Sequence, residues 1–207
     1  MIKKGTDDYD EVYAKLMLCE IYNPKLKNAK VLKVESPDIH DYELNIGIEV
    51  TRGFGKELSK CFSIGNKNFN QVKDSNEIKK NIKKHYKDFK GIYLNIDNIN
   101  LLSPSKGYID ASLEFDYIVD AIKKKNDKLK KYAKFGKYYL YIFTSKVLNI
   151  HDIEKIIFKI EKINNYNTIF IDCIYKIFIY ENNNIVEREL SNKQLEKLNR
   201  MTSHYQE

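Results

Sequence analysis

The stretch VESPDIHDYELNIGIEVTRGF, residues 34–54, decides the fold because it joins a Pro-Asp pair to an alternating strand pattern. Apolar side chains recur at every second position, at Leu44, Ile46, Ile48 and Val50. Since consecutive side chains of a strand point to opposite faces, Glu49 lies on the face opposite these residues. An unpaired carboxylate at a strand centre costs free energy. The stretch therefore predicts a hairpin that holds Asp38 and Glu49 at one polar site.

Periodic patterns on both sides of the hairpin predict alternating helices and strands. Helical patterns fall at 7–21, 55–62, 75–89, 112–134 and 151–163, and Ser191 with Gln194 forms a capping box for a last helix. Strand patterns fall at 30–34, 91–96 and 138–144, and a C-terminal hairpin at 168–190. The stretch 138–144 is apolar on both faces, which is typical of a central strand. We expect an α/β fold, a single domain with a central mixed β-sheet flanked by helices.

Composition favours a folded cytoplasmic protein. The 207 residues are 43% hydrophobic, and no stretch approaches the roughly 18 consecutive apolar residues of a membrane-spanning helix. The first residues, MIKKGTDDYDEVY, lack the apolar segment of a secretory signal. Three widely spaced cysteines predict buried thiols instead of a disulfide framework or a zinc site. We expect no membrane partner, and the sequence leaves a homodimer open.

Lysine accounts for much of the net charge of +7. Two lysine-rich runs, 79–90 and 123–137, suit contacts with the phosphates of a nucleic acid. In the first run we predict that Lys80, Lys83 and Lys84 bind nucleic acid. Two other interpretations stay open: such runs form solvated helix faces, and the abundance of Lys, Asn and Ile fits the codon bias of an AT-rich genome.

Two carboxylates from neighbouring strands are the ligands that a hard divalent cation prefers. Asp38 and Glu49 suit Mg²⁺ or Mn²⁺, with positions left open for water and a phosphate. The cation then polarises the phosphoryl oxygen and lowers the pKa of an attacking water. If the two side chains point to opposite faces of the sheet, or if Glu49 is locked in a buried structural ion pair, the metal hypothesis fails.

The pair PD at 37–38 and the strand IEVT at 48–51, with a helix before them and a helix and the strand YYLYIFT after them, resemble the PD-(D/E)xK nuclease superfamily. The resemblance implies a restriction-endonuclease-like core over about 7–145, followed by a helix, a β-hairpin and a helix in 150–207. It also implies a metal-dependent endonuclease. The family usually has lysine two positions after the Glu, where this chain has Thr51.

Helical geometry offers a replacement for that lysine. At about 100° per residue, Lys125 falls near the centre of the apolar stripe of the helix predicted at 112–134, and Lys128 falls at its border. In the first helix Glu20 lies within about 40° of Leu16, on the apolar side. Relocated lysines on the corresponding helix and a Glu on the first helix also occur in the superfamily. The resemblance thus implies Lys125 or Lys128 as catalytic residues and Glu20 as a third metal ligand.

The sequence therefore predicts a Mg²⁺-dependent endonuclease acting on DNA, with Asp38, Glu49 and one of the two lysines at its centre. A catalytically inactive nucleic-acid-binding module on the same fold is the alternative, which the missing motif lysine favours. A third interpretation is a protein-interaction domain whose basic charge is only compositional.

Overall fold

The computed structural model describes residues 7–32, 37–55, 80, 84, 92–96, 99–103, 111–132, 134–173 and 175–205. The chain divides into two compact units: Met1–Gly53 with Phe115–Glu207, and Phe54–Glu114. The helix predicted at 55–62 and most of the one at 75–89 lie outside the described residues. The helices are α1 (Asp7–Ile21), α2 (Ala111–Leu129), α3 (Ile150–Ile160) and α4 (Asn192–Ser203), and a 3₁₀ turn covers Pro24–Asn28.

Nine strands are described, and seven of them form one sheet in the first unit. In chain order the strands are β1 (Lys30–Val31), β2 (Ile39–Asp41), β3 (Ile46–Arg52), β4 (Ile92–Ile96), β5 (Ile99–Ser103), β6 (Lys137–Phe143), β7 (Thr168–Asp172), β8 (Lys176–Glu181) and β9 (Asn184–Glu189). The large sheet has the order β1-β2-β3-β6-β7-β8-β9. β6 pairs parallel with both β3 and β7, and the other neighbours are antiparallel. The predicted mixed sheet is confirmed, with β6 as a buried central strand.

The second unit contains the pair β4 and β5. These strands run antiparallel, with Ile92 opposite Ser103 and Ile96 opposite Ile99. β4 matches the strand predicted from GIYLNI.

Helices cover both faces of the large sheet. On one face, α1 and α4 pack on side chains of β3, β6 and β7, including Ile48, Tyr141 and Phe170. On the other face, α2 and α3 pack on Leu140, Ile142 and Ile169. The apolar alternation of β3 is responsible for this division: Ile46, Ile48 and Val50 face α1, which leaves Gly47, Glu49 and Thr51 on the α2 face.

The hairpin between β2 and β3 corrects one detail of the sequence prediction. The alternation predicts strand from position 42, but 42–45 form a turn and β3 begins at Ile46. Asn45 adopts a φ of 54°, a left-handed conformation that Asn tolerates better than most residues. The Leu44 N–H also donates to Asp41 Oδ1 at 2.9 Å. This side-chain bond competes with strand pairing and closes the turn.

Helix caps follow the sequence closely. Ser191 and Gln194 form the predicted capping box at the start of α4. Asn149 and Asp152 form another at the start of α3, so Asn149, and not His151, caps that helix. The Cys173 thiol is buried, as predicted, and that of Cys19 is partly exposed. Within the described residues no helix is long and apolar enough to cross a membrane.

Candidate metal and phosphate site

The β2–β3 hairpin brings Asp38 and Glu49 to one place on the α2 face of the sheet. Ile39 lies opposite Ile48, so the same antiparallel register sets Asp38 opposite Glu49. The Val50 N–H donates to Asp38 Oδ2 at 2.7 Å. This bond orients the aspartate toward the glutamate, although Asp38 itself precedes the first residue of β2.

Lys125 reaches both carboxylates from α2. Its Nζ lies 3.2 Å from Asp38 Oδ2 and contacts Glu49 Oε2. A Cβ at Gly53 would lie 2.7 Å from Cγ1 of Ile118, so that glycine lets α2 approach the end of β3. From Ile118 to Lys125 the helix rises about 10.5 Å, and from Gly53 back to Glu49 the strand covers about 13 Å. Helix α2 therefore runs along β3 in the opposite direction and delivers Lys125 over Glu49.

Burial and charge act on this cluster together. The Glu49 side chain is 1% exposed, against 17% for Lys125 and 24% for Asp38. Burial raises the pKa of Glu49, and the Lys125 ammonium opposes that rise. Burial would lower the pKa of Lys125, but Asp38 and Glu49 outweigh it and raise that pKa. The cluster is most exposed to solvent at Asp38. Lys125 compensates the charge of Glu49, which would be costly to bury without a partner.

Two tyrosines complete the surroundings of Glu49. A hydrogen bond from Tyr132 lowers the pKa of Glu49. Burial, followed by the charge of Glu49, raises the pKa of Tyr166, and Asp38 contributes as well. The Tyr166 hydroxyl is buried and has no hydrogen-bond partner among the described residues. It is thus a buried polar group on which the charges of both carboxylates act.

Asn126 fixes the position of Tyr166. Its side chain donates to the carbonyl of Ile163 and accepts from the N–H of Asn165 at 3.1 Å. The loop between α3 and β7 is thereby tied to α2 one residue beyond Lys125. Tyr166 has no role in the sequence prediction, because a residue in a loop carries no periodic signal.

Other predicted site residues lie elsewhere. Glu20 accepts from Lys197 Nζ at 3.0 Å on the α1 and α4 side of the sheet, so the structure does not bring it to the pair. Its apolar neighbours do face the sheet, but they face the opposite surface. Lys128 is exposed to solvent. Thr51 shares the face of Glu49 and is partly buried.

The lysines of the first run belong to the second unit. Lys80 and Lys84 are helical and exposed, and Lys83 lies outside the described residues. Their role in binding nucleic acid stays a prediction.

The donor atoms of the pair fit a small divalent cation in part. Glu49 Oε1 is buried without a hydrogen-bond partner in the described part of the chain. Asp38 Oδ2 is used by Val50 and Lys125, whereas no described residue donates to Oδ1. Each carboxylate thus has one oxygen that accepts no hydrogen bond in the described part of the chain, and that of Glu49 is buried. Nowhere in the described ranges do three or more His, Cys, Asp or Glu side chains form a group able to hold a metal.

Comparisons of the chain with protein-family models, with curated proteins and with solved structures found no match.

Proposed function

We propose that this protein is a metal-dependent nuclease that hydrolyses phosphodiester bonds in DNA. The observation that carries the proposal is the contact of Lys125 with both Asp38 and Glu49. Two carboxylates can hold a cation that activates water, and a lysine can stabilise the charge of the transition state. Here the lysine comes from a helix instead of from β3.

In this proposal Asp38 and Glu49 would hold Mg²⁺ or Mn²⁺. The bound cation would supply Lewis-acid polarisation of the phosphate and a lower pKa for water. Lys125 would place its positive charge where the phosphate gathers negative charge in the transition state. Since Lys125 also neutralises the buried Glu49 carboxylate, it keeps that group in place before substrate arrives.

A second candidate function is a nucleic-acid-binding module without catalysis. The burial of the Lys125–Glu49 ion pair favours it, because such a pair can also serve only to hold α2 on the sheet. In that case the same surface would bind nucleic acid and leave it intact.

Incubation of plasmid and of single-stranded DNA with Mg²⁺, Mn²⁺ or EDTA separates the two functions. The nuclease proposal expects cleavage with either metal, none with EDTA, and strong loss in Asp38→Asn and Glu49→Gln. Glu43→Gln, an exposed glutamate in the hairpin turn, is the matched control and should cleave normally. DNA that is bound but never cut by the wild-type protein would support the binding module and overturn the nuclease.

A further inference from the structure

Three aromatic rings form a cluster beside the carboxylate pair. Tyr42 stacks on Phe135 with ring centroids 5.6 Å apart and planes at 28°. His40 lies 4.5 Å from Tyr42 and 6.0 Å from Phe135. Tyr42 is 72% exposed, so the cluster presents a ring to solvent. We call Tyr42, Phe135 and His40 the aromatic platform.

The platform lies on the same sheet face as Asp38 and Glu49. His40 lies opposite Gly47 in the hairpin. This pair is two residues along the strands from Asp38 and Glu49, so it lies on the same face, about 7 Å away. A Cβ at Gly47 would lie 2.7 Å from Cγ of Pro37 and 2.9 Å from Cδ2 of Phe135. Gly47 thus allows the Phe135 ring to seat directly on the strand next to the site.

The segment that carries Phe135 is rich in lysine. The segment 128–137, which carries Phe135, contains five lysines and no acidic residue. Those closest in sequence to Phe135 are exposed, namely Lys131, Lys134 and Lys137. An exposed aromatic surface near these lysines suits a ligand with flat bases and a phosphate backbone.

We propose that an unpaired nucleobase stacks on Tyr42 of the aromatic platform, so that this protein binds single-stranded nucleic acid with the adjacent phosphate at Asp38, Glu49 and Lys125. The position of the phosphate rests on the proposed nuclease function, whereas the stacking contact does not. A duplex hides its base faces and therefore cannot use the platform unless it opens.

Fluorescence-anisotropy titrations in EDTA test the stacking contact without cleavage. The probes are a short single-stranded DNA of mixed sequence, an RNA of the same sequence, the blunt DNA duplex and a single strand with abasic sites. Because stacking on an aromatic ring contributes about 1–3 kcal/mol per base, Tyr42→Ala should weaken binding of the single-stranded DNA or RNA by about 5- to 150-fold. Binding of the duplex and of the abasic strand should stay within about twofold of wild type.

Three further variants test whether the loss of affinity comes from the aromatic ring of Tyr42. Tyr42→Trp should retain single-strand affinity and Tyr42→Leu should lose it, since only an aromatic ring stacks. Tyr175→Ala, which removes a tyrosine 55% exposed at another turn, should bind as wild type. Equal affinity of Tyr42→Ala and wild type for the single strand, equal losses on all four probes, or no binding by the wild type would overturn the platform.

The proposed nuclease function is tested independently of the stacking contact. Adding Mg²⁺ to the single-stranded probe measures cleavage in the same samples. A Tyr42-dependent affinity without cleavage would support the platform and contradict the nuclease, and cleavage with no Tyr42 dependence of binding would do the reverse.

Discussion

At the Glu49 carboxyl, burial and the Lys125 ammonium act on the pKa in opposite directions, and burial prevails. A carboxyl whose pKa is raised by folding binds its proton more tightly in the native state than in the unfolded chain. Its contribution to the free energy of unfolding is therefore largest below the unfolded pKa and is lost as pH rises through the folded pKa.

The first prediction concerns how the contribution of Glu49 to the free energy of unfolding changes with pH. Subtracting the free energy of unfolding of Glu49→Gln from that of the wild type cancels the titrating groups that do not interact with Glu49. The difference should fall as pH rises above about 4.3, by at most about 1.4 kcal/mol per pH unit. Urea unfolding monitored by circular dichroism at several pH values measures it. A flat or rising difference for Glu49→Gln would contradict the burial argument.

Tyr166 leads to a second prediction at this scale. Its buried hydroxyl has no partner in the described part of the chain, and an unsatisfied buried group costs about 1–3 kcal/mol. Tyr166→Phe should therefore unfold at the same or higher urea concentration than wild type. If the hydroxyl donates to a water or phosphate oxygen at the site, the single-turnover cleavage rate should nevertheless fall about tenfold. Tyr175→Phe should change neither quantity, and unchanged cleavage by Tyr166→Phe would make its hydroxyl a mere packing group.

Sequence could single out Glu49 and Lys125 because each stands out within a regular element, whereas Asp38, which precedes β2, is marked only by the Pro-Asp pair. Glu49 interrupts an apolar alternation, and Lys125 interrupts an apolar helical stripe. Glu20 shows the limit of a prediction from helical periodicity. Helical periodicity places a residue on a face of its own helix, but it does not say which surface of the sheet that helix covers, and α1 covers the other one.

At the scale of elements, α3 gives the cleanest division between buried and exposed sides. Ile156 is 0% exposed against the sheet, and Phe158, two residues later, is 81% exposed. Residues two apart on a helix point in opposed directions, so one faces the core and the other faces water.

The contrast between the buried Ile156 and the exposed Phe158 predicts different effects of two substitutions. Ile156→Ala should lower the free energy of unfolding by about 2–5 kcal/mol, because it removes buried methylene groups and leaves a cavity. Phe158→Ala should change it by about 0.5 kcal/mol or less. Both are measured by urea unfolding. Comparable losses for the two variants would mean that α3 is oriented differently on the sheet.

Element boundaries were predictable where a cap or a strong pattern marks them. The Ser191 capping box and the range of α1 agree with the sequence prediction. The start of β3 was not predictable, since Leu44 continues the apolar alternation while Asp41 and Asn45 close a turn. Helix α2 ends at Leu129, earlier than the apolar stripe suggests. Tertiary contacts, such as those of Phe135 with Gly47, hold the segment that follows in a different path.

The net charge of the whole molecule can be counted in the sequence, but its effect on binding depends on where the lysines lie. The net charge of +7 is spread over two units, and the segment 128–137, which follows Lys125 in the chain, carries five lysines. Phosphate contacts release counterions, so binding of nucleic acid should weaken steeply with salt.

Two triple variants compare the lysine groups. Lys80, Lys83 and Lys84 changed together to Gln should weaken DNA binding about equally for all sequences, because phosphate contacts carry no base information. Lys131, Lys134 and Lys137 changed together to Gln should do the same. Each lost contact should reduce the slope of log affinity against log salt by about 0.7–0.9. Anisotropy titrations at several salt concentrations measure the slope, and an unchanged slope would exclude the affected group from the binding surface.

The central claim is that a lysine on α2 supplies the positive charge that β3 lacks at Thr51. Its most direct test is the single-turnover rate of DNA cleavage in Mg²⁺ by Lys125→Met, beside Lys124→Met on the exposed side of the same helix. Removing a charge that stabilises the transition state should lower the rate of Lys125→Met by about 10²-fold or more, with DNA affinity nearly unchanged. Lys124→Met should cleave like wild type. Equal rates for Lys125→Met and wild type would contradict the claim.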